Sequence, residues 1–322
     1  MTKLSTKSPN SSFKSTLLLG VKFFISAGLI GYLLAKIGVG NALERASSIP
    51  VINLIGAFCL LVLQAILGAI RWRLVVLALG ARLSTVKAVL ITSISLFFNQ
   101  FLPASVGADI VRVWQSNRAG LALSTGVTSV ILERFGNLLC VTAMTLFAIP
   151  VWAKHFYGEA ARGAFIATGV IATLVLIAMM NLDRLPAAWH RWGIVRWLAT
   201  LAHDSRALFL HPFYASMFFA TAIAGQLALV AAALLLAEGL GLNLRPIDFL
   251  ATIPAVALLS SLPISIAGWG VRELAMVSVL GMLSVPAESA LALSLVLALV
   301  GVAVSLPGGL VWLTLRHDRK TG

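Results

Sequence analysis

The sequence predicts an all-α polytopic membrane protein with about six spanning helices plus two broken, re-entrant hairpins arranged as an inverted repeat. Three observations predict it. The 322 residues are 60% hydrophobic and only 11% charged, with a mean hydropathy of +0.99. That is more apolar side chain than a water-soluble core of this length can bury, so lipid is the solvent for most of it. Apolar stretches of spanning length recur along the chain, and two further stretches carry closely similar polar interruptions.

Taken in order, MTKLSTKSPNSSFK is polar and basic and predicts a flexible tail over residues 1–15. The apolar run at 16–38 exceeds a signal-peptide core and lacks a cleavage site, so it reads as an uncleaved first span. Further spans are predicted at 50–70, 122–151, 164–181, 212–237 and 288–314, each judged against the roughly 20 residues of helix that cross a bilayer. Between them lie the two interrupted elements, near 84–120 and 247–284. Residues 102–112 read LPASVGADIVR and residues 262–273 read LPISIAGWGVRE. Leucine, proline, serine, valine and arginine recur at one offset, since 262−102 and 272−112 both give 160. Helix breaks at membrane depth are tolerated only where protein or a water-filled cavity surrounds them. Each element is therefore read as two half-helices, the alternative being a kinked full span. An odd number of spans between the elements inverts the second relative to the first, an arrangement typical of transporters. The 182–211 segment interleaves Trp189, Trp192 and Trp197 with bases and predicts an amphipathic helix at the interface. Residues 316–322 form a second tail, which leaves 16–315 as the membrane domain.

The formal charge is +13, from 24 Lys and Arg against 11 Asp and Glu. The bases fall between apolar runs, without the aromatic-rich sheet or recognition helix of a nucleic-acid module, so no nucleic-acid partner is expected. Lys3, Lys7 and Lys14, then Arg71, Arg73, Arg82 and Lys87, then Arg184, Arg191, Arg196 and Arg206, then Arg316, Arg319 and Lys320 mark the rich segments. Alternate connections hold few, and the positive-inside tendency then places both termini in the cytoplasm. Cys59 and Cys140 sit in apolar runs, with neither disulfide nor metal-ligand spacing. The five histidines lie in connections or tails, and GxxxxGK[ST], HExxH and GxSxG motifs are missing. No catalytic residue, cofactor or metal is expected, and the chain does not read as an enzyme.

Charge inside the membrane is costly and usually functional. The candidates for a lipid-phosphate site are Arg112 and Arg272, with Ser105 and Ser265 as helix-start caps and Gly107, Gly268 and Gly270 allowing close approach to the backbone. Amides at helix N-termini attract anions, and an arginine adds a bidentate fork. The competing reading pairs the two arginines with Asp109, Glu133 or Glu273 as structural ties. Asp109, Glu133, Arg134, Glu273 and Asn99 are candidates for a polar or coupling site. Glu133 and Arg134 are adjacent, so they point about 100° apart on a helix and each needs a partner elsewhere. Arg71 and Arg73 flank Trp72 at one end of the second span and read as interfacial anchors, with lipid-phosphate contact the sharper option.

The segments AIRWRLVV, NQFLPASVGADIVRVW, VILERFGNLL and LPISIAGWGVRE, in that order, resemble the lysylphosphatidylglycerol synthase transmembrane-region family, also described as flippase-like. The resemblance extends over about 16–315, and departs from the usual pattern at Ala108, where a glycine is common. It implies a multi-pass protein of a bacterial or archaeal cytoplasmic membrane that moves a lipid between leaflets. Bifunctional members carry a soluble aminoacyl-transferase domain after the membrane region. This chain ends at Gly322, so that domain, and synthesis of the aminoacylated lipid, are not expected. The lipid stays open among an anionic phospholipid, a polyprenyl-phosphate sugar, a hopanoid and a glycolipid. Two other readings are a membrane-embedded transferase using a lipid-linked donor and an accessory subunit of a lipid-modifying enzyme. A homo-oligomer is compatible with all three.

Overall fold

The structure, a computed structural model, describes residues 44–101, 106–148, 193–261 and 269–317, with the single residues 167, 170, 174 and 181. All the regular structure among them is helical: α1 Val51–Ala78, α2 Thr85–Phe101, α3 Val106–Arg118, α4 Leu123–Phe147, α5 Gly193–Phe209, α6 Pro212–Gly239, α7 Pro246–Ser260, α8 Val271–Gly281 and α9 Ala287–His317. Four are long and apolar enough to cross a membrane, namely α1, α4, α6 and the Ala287–Thr314 part of α9. They match the expected spans at 50–70, 122–151, 212–237 and 288–314. The spans expected at 16–38 and 164–181, the tail over 1–15 and the motif residues Ser105, Ser265 and Gly268 lie outside the described residues.

Local sequence explains where these helices stop. α1 and α6 end alike: Gly80 and Gly241 take positive φ (74° and 72°). The next amide then reaches back five residues, Ala81 N–H to the Val76 carbonyl at 3.1 Å and Leu242 N–H to the Ala237 carbonyl at 2.9 Å. This closure satisfies carbonyls that a helix end would otherwise leave unpaired, and the left-handed position favours glycine.

The two halves also pack alike. Exchanging α1 with α6, α2 with α7, α3 with α8 and α4 with α9 maps each principal packed pair among these helices onto another. The pairs α2–α3, α3–α4 and α2–α9 answer to α7–α8, α8–α9 and α7–α4, while α1–α6 maps onto itself. α1 and α6 run antiparallel: near one end Asn53 donates from Nδ2 to the Leu235 carbonyl at 2.7 Å, and near the other the Arg71 guanidinium lies 6.0 Å from the Phe218 ring centroid.

The register between halves differs from the one the motifs suggest. Helix starts give an offset of 161 before the breaks (212−51 and 246−85). After the breaks the matching closures are Leu121 N–H to Ser116 O and Val285 N–H to Leu280 O, and 285−121 gives 164. Between these matched points the second half carries three more residues than the first (164−161), close to one helical turn. The aligned VR pairs are therefore not equivalent in space: Arg112 lies in the second turn of α3, whereas Arg272 stands at the start of α8.

Side chains sort by environment. Ile52, Ile66, Leu227 and Leu310 are exposed on the outside, where lipid is their solvent. The largest buried apolar cluster joins α1, α6, α7, α8 and α9 through residues such as Leu236, Phe249, Met276 and Leu293. α5 packs Leu201 and Leu208 against Val75, Leu132 and Phe218. Where α2 meets α9 the approach is limited by Gly308, on which any Cβ would overlap the Ser93 carbonyl.

Candidate functional site

Three helices each deliver one charged side chain to the same point. α1 brings Arg71, α3 brings Arg112 and α4 brings Glu133. Arg71 donates from Nε at 2.8 Å and from Nη2 at 2.5 Å to Glu133 Oε1. Arg112 donates from Nη1 to the other oxygen, Oε2, at 3.2 Å. The side chains are 12%, 13% and 8% exposed, so this is a buried triad with one carboxylate between two guanidinium groups.

Arg71, expected as an interfacial anchor, thus points into the protein. Its helical neighbours explain why: Trp72 is fully buried and donates from Nε1 to Ser129 Oγ at 3.1 Å. The Arg112 guanidinium stands 5.5 Å from the Trp72 ring centroid, within cation–π range. Arg73 donates instead to the Leu83 carbonyl at 2.8 Å and ties the α1–α2 connection to its own helix.

The triad borders a cavity of about 280 Å³, lined also by Gln64 and Gly68 of α1, Thr92 and Gln100 of α2, and Gly301 and Ser305 of α9. Residues 61–71 place it in the middle stretch of α1, near mid-span. Two buried polar atoms at its wall have no hydrogen-bond partner, Arg112 Nε and Thr92 Oγ1. Buried donors and acceptors left unpaired are expensive, so each has unspent bonding capacity beside the cavity.

A second pair extends the cluster. Arg134 Nε bonds Asp109 Oδ2 across α4 and α3. Glu133 and Arg134, one residue apart, hence reach partners on different helices. The triad carries one net positive charge, and adding the balanced Asp109–Arg134 pair leaves that unchanged.

The chain matches the lysylphosphatidylglycerol synthase TM region over residues 19–309. It belongs to that family. A search of curated proteins found no match. Family membership points to a membrane lipid-related function for this lysylphosphatidylglycerol synthase TM-region protein.

The family motifs fall in different places. Arg112 of α3 and the ERFG segment of α4 meet at the triad. The arginine that follows the second break does not join them. Arg272 donates from Nε at 3.0 Å and from Nη2 at 2.5 Å to Glu273 Oε1, and its guanidinium lies 4.9 Å from the Trp269 ring centroid. Glu273 also accepts from the Gly270 N–H at 2.6 Å, capping the start of α8. Arg112 and Arg272 therefore have separate carboxylate partners, and Arg272 is not among the residues lining the cavity. Gly107 is half-buried in the first turn of α3, and Asn99 is half-buried on α2 beside the cavity-lining Gln100.

Gln64, Thr92, Gln100 and Ser305 belong to the site but were not picked out from the sequence. Gln64 carried a signal, a lone amide inside the apolar run LVLQAIL. Thr92 and Ser305 carried none, because small hydroxyl residues are ordinary in apolar helices, where they commonly bond their own backbone as Ser305 does.

Proposed function

We propose that this family member moves an anionic lipid between leaflets, holding its headgroup in the cavity beside Arg71, Arg112 and Glu133. The observation that carries the reading is the net positive triad beside the cavity with an unpartnered Arg112 Nε. A guanidinium fork suits a phosphate oxygen, and the weakly hydrated guanidinium is suited to burial. Glu133 keeps both arginines oriented while leaving one positive charge for the ligand. The acyl or polyprenyl chain stays in lipid, reached between helices whose outer faces are apolar.

The exchange symmetry of the packed pairs and the antiparallel α1–α6 pair support an inverted repeat. Equivalent helices that run in opposite directions are related by an axis lying in the membrane plane, and transporters of this design bind substrate near the midplane. We place both termini in the cytoplasm on the charge asymmetry, and assign the chain no enzymatic step.

The test is transfer of fluorescent phosphatidylglycerol across vesicles containing the purified protein, against a zwitterionic phosphatidylcholine probe. Protein-dependent movement of the anionic probe alone is expected. Equal movement of both, or of neither, overturns the anion assignment.

A further inference from the structure

Two glycines on the cavity wall stand where packing does not require them. Glycine weakens a helix interior relative to alanine, and membrane helices use it chiefly where backbones approach closely. Most glycines inside the described helices fit that rule. A Cβ at Gly56 would come 2.9 Å from Leu235 Cδ1, one at Gly136 2.5 Å from the Phe218 ring, and one at Gly309 2.7 Å from the Phe97 ring. Gly68 of α1 and Gly301 of α9 do not fit it, because a Cβ at either meets no described atom within 4 Å. Both line the cavity beside the triad. Gly68 shares a helix face with the lining residues Gln64, Ala65 and Arg71, and Gly301 with Ser305, so a side chain at either position enters the cavity.

The space before the two glycines is faced by polar groups that lack partners. Thr92, 4% exposed, lines the cavity with Oγ1 unpartnered, and Arg112 lines it with Nε unpartnered. Gln64 and Gln100 bring amides to the same wall. Unpaired buried polar atoms are costly, and a ligand that carries phosphate and hydroxyl oxygens supplies what they lack. An apolar cavity of about 150 Å³ takes one benzene ring. A volume of about 280 Å³ therefore holds a phosphate with one small polyol or one sugar ring, and not a chain of sugars.

We propose that Gly68 and Gly301 determine headgroup size, limiting the site to a phosphate that bears one small polyol or one sugar ring. This rests on the reading of the cavity as the headgroup site. The two positions lie on different helices that pack together, so side chains there narrow the cavity from two walls. Selection then falls hardest on the larger headgroup.

The experiment measures binding of fluorescent phosphatidylglycerol and fluorescent phosphatidylinositol to the purified full chain in detergent. Wild type is compared with alanine and leucine at Gly68 and at Gly301. Gly281→Leu is the control, since a Cβ there also meets nothing within 4 Å but the residue is not on the cavity wall. Gly68→Leu and Gly301→Leu are expected to weaken the inositol lipid by about tenfold or more, the scale of a misfit of one methylene or more in a pocket, and the glycerol lipid by less. The alanine variants are expected to fall between wild type and leucine, and the control to move neither probe. Melting temperatures establish that the proteins compared are equally folded, and the alanine pair carries the test alone if leucine disturbs folding.

Unchanged affinity for both probes, or equal weakening of both, overturns the size assignment while leaving the headgroup site in place. Wild-type protein that binds neither probe defeats the headgroup reading itself, and the size assignment falls with it.

Discussion

Arg71 and Glu133 lie 62 residues apart in sequence and meet in a two-pronged hydrogen bond, from Arg71 Nε at 2.8 Å and Nη2 at 2.5 Å onto one carboxylate oxygen. The bond joins α1 to α4 at the wall of the cavity and leaves the other oxygen for Arg112. Removing one partner of a buried pair strands the other, which costs more than replacing both.

Glu133→Gln therefore destabilises the protein by about 3 kcal/mol or more, since two buried guanidinium groups lose their counter-charge. Arg71→Met with Glu133→Gln recovers part of that loss. Thermal unfolding of the detergent-solubilised single and double variants, compared in a cycle, measures the coupling.

Arg112→Lys keeps the charge but loses the planar fork and its stacking over Trp72. Binding of the anionic probe is expected to weaken by roughly 10-fold or more, the usual worth of a charge-assisted hydrogen bond. Fluorescence binding titrations in detergent check this, with Trp72 itself left intact.

Gly308→Val is expected to destabilise by at least about 1–3 kcal/mol through overpacking, because its Cβ overlaps the Ser93 carbonyl and that backbone has no side-chain freedom to yield. Gly301→Ala, with open space at its Cβ, is expected to leave stability unchanged. The same melting assay distinguishes them.

Outside the spans, burial pushes the Asp204 carboxyl on α5 upward, against the opposing pull of His203. The unfolded carboxyl ionises first as pH rises, so the folded chain holds its proton longer and stability falls across the window just above the ordinary carboxylate range. Asp204→Asn removes this slope. Unfolding midpoints between mildly acidic and neutral pH test it.

Much of the fold was legible because lipid imposes a length and a composition on every span, and four expected spans coincide with α1, α4, α6 and α9. The match of LPASVGADIVR with LPISIAGWGVRE did not carry over to the spatial register, because a turn-sized difference between the halves is invisible to a motif match, and Arg272 aligned with Arg112 in letters and not in space. At the site, adjacency showed that Glu133 and Arg134 look to different partners. Which helices supply those partners depends on packing between α1, α3 and α4, and Arg71 looked interfacial because its position near a span end says nothing about which way the helix faces.

The most direct measurement of the central claim is the rate of leaflet exchange of fluorescent phosphatidylglycerol in vesicles holding equal amounts of folded wild-type and Arg112→Gln protein. The account predicts rapid exchange with wild type and a loss of about tenfold or more with the variant, the consequence of removing a charge-assisted contact. Equal rates from two equally folded proteins would contradict it.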